Sequence, residues 1–136
     1  MSGPSPSGIT GIGIDLVEVS RFGASLERFG ARLRDRLFTR GEQLYCDDHG
    51  VKHRSQHYAA RFAAKEAWIK ASGIALAWKE IEVVNHPGTG VPELALHGRT
   101  RTAAAEAGIS RALLTITHAG DLAVAHVMLE GELRAR

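Results

Sequence analysis

The chain contains one cysteine, Cys46, among 136 residues. It cannot form an internal disulfide, and no Cys/His spacing of the zinc-binding kind occurs, which argues against both a stapled secreted scaffold and a zinc module. No apolar run approaches the ~20 residues needed to cross a bilayer, and the start lacks the basic-then-apolar pattern of a signal peptide. A soluble cytoplasmic protein is therefore expected. The pair Gly11-x-Gly13 lacks the third glycine and the helix start of a dinucleotide fingerprint, and no Walker lysine loop is present, so NAD and P-loop chemistry are set aside. Internal repeats and low-complexity arrays are also missing.

What is there suits one domain. A length of 136 residues supports a single core, adequate but not generous. The formal net charge is only +2, yet Arg21, Arg28, Arg32, Arg34, Arg36 and Arg40 crowd residues 20 to 40 against Glu27 and Asp35. Such a segment suits an acidic protein surface or a nucleic-acid backbone, and charge alone does not separate the two.

Read in order, residues 1 to 8 have almost nothing to bury and are expected to be disordered. Alternation predicts a strand over about 10 to 17, and the spacing of Val19, Phe22, Leu26 and Phe29 predicts an amphipathic helix, with Arg21 and Arg28 off its apolar face. Thr39-Arg40-Gly41-Glu42 has capping-box spacing and opens a short helix, expected to pack through Leu44 and Tyr45. Residues 47 to 57 are polar, contain Gly50 and read as a mobile connection; His49, His53 and His57 recur at ligand-like spacing, but a solvated loop or frayed helix accounts for them. A helix over 59 to 72 ends at Gly73, followed by a short apolar link over 74 to 78. A hairpin over 80 to 97 turns at Asn85-His-Pro-Gly-Thr-Gly90, and a third helix over 99 to 107 ends at Gly108. Strands over 113 to 118 and 122 to 129 flank Ala119-Gly120-Asp121, and residues 131 to 136 form a polar tail. Helices and antiparallel strands in this order give an α+β fold.

The organising stretch is Arg61-Phe-Ala-Ala-Lys65-Glu66-Ala-Trp68-Ile-Lys70-Ala-Ser-Gly73. At helical spacing Ala59, Phe62, Ala63, Glu66, Ile69, Lys70 and Gly73 share one face, and Arg61, Lys65, Trp68 and Ser72 another. Glu66 then lies at the centre of an apolar stripe, one turn before Lys70. An i,i+4 salt bridge on a solvated surface would be worth only ~0.2 to 0.5 kcal/mol, whereas charge facing a core needs a partner or a metal. A second carboxylate stands in Gly11-Ile-Gly13-Ile-Asp15-Leu-Val-Glu-Val19, where Gly11 and Gly13 share the side of Asp15 and leave room for a ligand to approach. Asp15 could equally end a strand and cap the segment after it. Together, Asp15 and Glu66 offer hard oxygen ligands for one magnesium, with an anionic substrate completing the shell. Arg61, Lys65, Lys70 and His118 are candidate phosphate partners, although their helix faces differ.

Gly11 to Val19 followed by Arg21-Phe22, then Arg61 to Ala67 with Lys70 and Gly73, then Thr115-Ile-Thr117-His118, resemble the three signature segments of holo-acyl-carrier-protein synthases, the small 4'-phosphopantetheinyl transferases. The resemblance spans about residues 9 to 130. It implies an enzyme of fatty acid or polyketide biosynthesis that moves the 4'-phosphopantetheine arm of coenzyme A to a serine of acyl carrier protein and releases adenosine 3',5'-bisphosphate. By the same resemblance, Asp15 and Glu66 hold Mg2+ and Lys70 steadies a phosphoryl oxygen. Arg61, Lys65, Lys70, Gly73, Pro92, Thr117 and His118 bind coenzyme A, and Arg21 and Arg28 dock the acidic carrier. Three copies associate, without nucleic acid or membrane. Family members commonly have Ser where Thr117 stands. Two other readings stay open: a non-enzymatic basic module that binds acidic protein or RNA, and a magnesium-dependent phosphodiester hydrolase.

Overall fold

The computed structural model describes residues 6–74 and 77–133. Five strands and four helices follow in the order β1 (Ser7–Glu18), α1 (Val19–Leu37), α2 (Arg40–Asp48), α3 (Gly50–Ser72), β2 (Ile81–Asn85), β3 (Pro92–Leu96), α4 (Gly98–Glu106), β4 (Ile109–Ala119) and β5 (Leu122–Glu132), with a 3-10 turn at Trp78–Glu80. The fold is α+β with every strand pair antiparallel: one sheet in the order β1-β5-β4, and a separate hairpin of β2 and β3. Helix α3 lies between them, and its Ala63, Ala64, Ala67 and Trp68 share a core with Ile81 and Val83 from the hairpin and Ala125, Val127 and Leu129 from β5.

Contact between α3 and β1 is backbone to backbone. A Cβ built on Gly13 would come within 2.1 Å of the Ala67 carbonyl oxygen, and one on Gly11 within 2.1 Å of the Ala71 oxygen. The two glycines therefore serve the helix, and the room expected there for a ligand is filled by α3. Their β1 neighbours alternate outward: Ile12, Ile14 and Leu16 are 60%, 60% and 56% exposed.

Several local expectations hold for visible reasons. Gly73 adopts the left-handed conformation at φ 69° and its N–H donates to the Ile69 carbonyl, ending α3. The capping box of α2 is complete: Thr39 Oγ1 accepts from the Glu42 N–H at 3.1 Å, and Glu42 Oε1 accepts from the Thr39 N–H at 3.0 Å. The first helix stops its regular run at Gly30 (φ 59°), then resumes to Leu37.

Other expectations are corrected. Strand β1 starts at Ser7 and β5 runs to Glu132, so Ser7, Gly8, Gly131 and Glu132 are sheet residues rather than disordered segment or tail. Residues 1–5, 75, 76 and 134–136, on which parts of those readings and of the 74 to 78 link fall, lie outside the described residues. The supposed mobile connection over 47 to 57 is mostly helix. Asp47 holds it by accepting from Arg54 Nε at 2.7 Å and from the Tyr58 hydroxyl at 2.9 Å, while the rings of Tyr45, His49 and His57 pack against one another in tilted and edge-on contacts. Leu44 is half exposed, and Glu42, Gln43 and Cys46 take the buried face of α2.

The rotation of α3 is the largest difference. Arg61, Lys65 and Trp68 are buried with the alanines Ala59, Ala60, Ala63, Ala64 and Ala67, while Glu66 stands at the rim. Lys65 turns inward because its ammonium meets three acceptors there: Glu42 Oε1 at 2.7 Å, the Trp78 carbonyl at 2.8 Å and the Ile81 carbonyl at 2.6 Å. Glu42 is satisfied in return by the Val83 N–H at 2.9 Å.

Gly13→Ala tests the helix-on-strand contact. Its methyl must displace α3, and urea unfolding should show a loss of about 1–3 kcal/mol or more, as for overpacked cores. Unchanged stability would mean that the close approach is absent in solution.

Candidate active site

Because Gly11 and Gly13 admit α3, Asp15, two residues further along the same side of β1, faces the middle of that helix. Lys70 Nζ donates to Asp15 Oδ1 at 2.8 Å and to the Ile14 carbonyl at 3.1 Å. The Lys70 side chain is 53% exposed and that of Asp15 only 17%, so one ammonium N–H remains for an anion arriving from solvent. The Glu66 carboxyl is pushed above the usual carboxylate range, first by burial and then by the negative charge of Asp15, with Lys70 pulling the other way. Lys70 is itself held above its ordinary value, chiefly by its hydrogen bond to Asp15. The three side chains thus converge on one place. Two hard carboxylates that repel each other fit a divalent cation, which would relieve that repulsion. Among the described residues no group of three or more His, Cys, Asp or Glu side chains is arranged to hold a metal, so the remaining ligands would have to be water and substrate.

One to two turns toward the N-terminus of α3 lies a second cluster. Arg61 is 3% exposed. Its Nη2 donates to Asn85 Oδ1 at 2.7 Å, its guanidinium lies 4.1 Å from the centre of the Tyr45 ring, and its Nε has no partner. Asn85 is paired in register with Pro92, which brings the start of β3 to Arg61. His118, exposed near the end of β4, interacts electrostatically with His57. The His57 imidazole is pushed down to about 4 by burial and by His49, Arg61, His118 and His53, and is neutral near pH 7. Gly73 lies seven residues beyond Glu66, about 10 Å along the helix axis.

Two expected phosphate or nucleotide contacts are not placed to act in this way within the chain. Lys65 is fully buried and its three N–H donors are all used, so it is a structural cation and cannot turn to a phosphate. Thr117 pairs with Val124 and shares the outer face of the sheet with Leu16, opposite the row of Asp15, Ala125 and Ile116. A period of two puts His118 on one side and Thr117 on the other.

Arg21 and Arg28 are exposed on α1, and the Arg28 guanidinium lies over the Phe29 ring. Beside them opens a cavity of about 390 Å3 lined by Phe22, Phe29, Leu33, Phe62 and Trp78, with Arg36 at its edge. Phe62, on this lining, precedes Glu66 by one turn of α3. Asp121 in the β4–β5 turn accepts from the Ser20 N–H at 2.9 Å and from the Ser20 hydroxyl, and so caps the start of α1. Neither the cap nor the roles of Tyr45 and Asn85 had a local sequence signal, since each partner is distant in the chain.

Comparison with known proteins places the chain in a family. The model of the 4'-phosphopantetheinyl transferase superfamily matches residues 11–126. The holo-[acyl-carrier-protein] synthase of Geobacter metallireducens is 45% identical over 126 residues, covering 90% of this chain and 98% of the relative. Among solved structures, the holo-[acyl-carrier-protein] synthase of Neisseria meningitidis is similar with a TM-score of 0.81 at 31% identity, over 90% of this chain and 98% of the other. The Helicobacter pylori synthase in complex with coenzyme A has a TM-score of 0.75 at 27% identity, over 87% and 98% of the two chains.

The convergence of Asp15 on Glu66 has a direct readout in the Glu66 carboxyl titration, followed by carbon-detected NMR. Asp15→Asn removes a charge that raises the Glu66 value, so its midpoint should fall; Lys70→Met removes a charge that lowers it, so the midpoint should rise. A Glu66 midpoint indifferent to Asp15→Asn would separate the two carboxylates.

Proposed function

Since the chain belongs to the 4'-phosphopantetheinyl transferase superfamily, we propose that Asp15, Glu66 and Lys70 form the centre at which it transfers the 4'-phosphopantetheine arm of coenzyme A to a serine of apo-acyl carrier protein. The observation that carries the assignment is the meeting of a strand carboxylate, a helix carboxylate with a raised proton affinity and a half-exposed ammonium. The serine hydroxyl forms a new P–O bond at the β-phosphorus, the pyrophosphate bridge breaks, and adenosine 3',5'-bisphosphate leaves with the electron pair. Lys70 directs its free N–H at a phosphoryl oxygen where negative charge grows. Glu66 is the candidate acceptor of the serine proton, directly or through water, and its raised affinity suits that task. Asp15 and Glu66 would hold Mg2+, which supplies charge neutralisation at the pyrophosphate when bound. Arg61 and His118, both of which interact electrostatically with His57, suit a second and separate phosphate such as the ribose 3'-phosphate of coenzyme A. Pro92 and Gly73 would border the nucleotide.

The carrier, acidic and soluble, is read as docking on α1 through Arg21 and Arg28, with the adjoining apolar cavity accepting a nonpolar side chain. A purely carrier-binding or nucleic-acid-binding module would use the basic helix but leaves the Asp15, Glu66 and Lys70 cluster without a role. The reaction fits the cytoplasm and fatty acid or polyketide biosynthesis; among the described residues no helix is long and apolar enough to cross a membrane. We also read the active form as a homotrimer, in which copies cover the outward Ile12, Ile14 and Leu16 of β1.

Apo-carrier protein incubated with coenzyme A, Mg2+ and this chain should gain the mass of the arm. Asp15→Ala and Glu66→Gln should each lower kcat/KM by roughly a hundredfold or more, in line with the loss of a charge-stabilising group, with circular dichroism unchanged. Arg21→Glu should raise KM for the carrier and leave kcat close to wild type. A wild-type rate in either carboxylate variant removes the site assignment.

A further inference from the structure

Arg61 is a buried cation, and among the described residues no carboxylate forms an ion pair with it. Glu42 and Asp47 on α2 are bound to Lys65 and to Arg54 and Tyr58. What holds the guanidinium instead is neutral: the centre of the Tyr45 ring lies 4.1 Å from it, and Asn85 Oδ1 accepts from Nη2 at 2.7 Å. The ring face takes none of the N–H donors of the fork, and the amide takes one. Tyr45 is braced in turn by His49, whose ring centre lies 4.2 Å away and whose Nδ1 donates to the Tyr45 carbonyl at 2.6 Å. The Arg61 Nε–H is buried and unpartnered. A buried charged group with a hydrogen bond unmade is one that an incoming anion completes.

Ring, cation and amide come from three elements, and one network fixes all of them. Glu42 stands one turn before Tyr45 on α2, Lys65 one turn after Arg61 on α3, and Val83 two residues before Asn85 on β2. Glu42 bonds to both of the others, to the Lys65 ammonium at 2.7 Å and to the Val83 N–H at 2.9 Å. The fork is therefore set in place before any ligand arrives.

We propose that Tyr45 and Asn85 are positioning residues that hold Arg61 ready for the ribose 3'-phosphate of coenzyme A, and so set the preference of the protein for coenzyme A over its 3'-dephospho form. This rests on the assignment of Arg61 to that phosphate made above. An arginine free to rotate loses side-chain freedom when it grips a phosphate, whereas a fork already fixed does not. A carboxylate in place of Asn85 would orient Arg61 equally well, but it would cancel the charge that the phosphate needs. A tyrosine ring and an amide orient it and leave that charge intact. Lys70 is assigned to the pyrophosphate, so Tyr45 and Asn85 bear on one phosphate and not on the other. All three residues belong to one copy, and the device is complete without assembly.

Titration calorimetry of the full chain with Mg2+ present, using coenzyme A and 3'-dephospho-coenzyme A as the two probes, tests this, with circular dichroism on every variant. Wild type should bind coenzyme A the more tightly by roughly tenfold or more, the weight of a hydrogen bond between charged groups. Arg61→Gln should bind the two alike. Tyr45→Leu should lose roughly tenfold of the preference while its affinity for 3'-dephospho-coenzyme A stays at the wild-type value, and Tyr45→Phe, which keeps the ring, should retain the preference. Asn85→Asp, equal in shape but charged, should lose it too. A preference kept in Tyr45→Leu or in Asn85→Asp, or a loss that falls equally on both probes, overturns the positioning role and leaves Arg61 as the phosphate partner. A preference missing in wild type, or kept in Arg61→Gln, overturns the 3'-phosphate reading and the positioning role together. Should Tyr45→Leu fail to fold, Asn85→Asp decides alone, a lost preference supporting the role and a kept one overturning it.

Discussion

The architecture of the site depends on one steric constraint, the approach of the α3 backbone to the β1 backbone over Gly11 and Gly13. With any side chain at those positions the Ala67 and Ala71 carbonyls would have to withdraw. The approach is close enough that Lys70 reaches across to the β1 backbone and to Asp15 from the helix. It also carries Glu66 close enough to Asp15 for the two charges to disturb each other. The proposed pair, drawn from two elements, needs a rigid distance between them, and direct backbone contact supplies one without depending on side-chain rotamers.

The far side of α3 is fixed by a different kind of interaction. Lys65 and Glu42, both fully buried, form an ion pair in which the ammonium has three acceptors and the carboxylate two further backbone donors. Replacing such a pair by matched apolar groups often costs nothing, while removing one partner typically costs about 3–5 kcal/mol. Its value here is directional. It ties α3 to the N-terminus of α2 and to the start of β2, and this sets the helix rotation that leaves Glu66 and Lys70 on the open side. Glycine contact on one face and buried charge on the other define the position of the turn that carries Glu66 and Lys70.

Much of this was legible from residue order. Alternation and turn chemistry gave the five strands to within a few residues, and Thr39, Gly73 and Gly108 marked helix ends through local rules that need no tertiary partner. The Asp15 strand and the Glu66 helix stood out as carriers of charge beside apolar residues. What could not be read was anything decided by a distant partner. Periodicity placed Glu66 in the core because Phe62 and Ile69 share its face, yet Lys65 is the residue that goes inside, since Glu42 and two carbonyls wait for it. The glycines of β1 looked like space for a ligand, and the helix fills that space. Residues 47 to 57 read as a mobile connection because Tyr45 and Asp47, which hold this start of α3 through ring contacts and hydrogen bonds, belong to α2.

If Asp15 and Glu66 serve a single bound cation, they act as a unit rather than as two contributions. A double-mutant cycle on kcat/KM for arm transfer measures this directly. Joint action predicts that Asp15→Ala/Glu66→Gln is no slower than the slower of the two single variants. Losses that multiply in the double variant would mean that the two carboxylates work independently, and would contradict the shared centre.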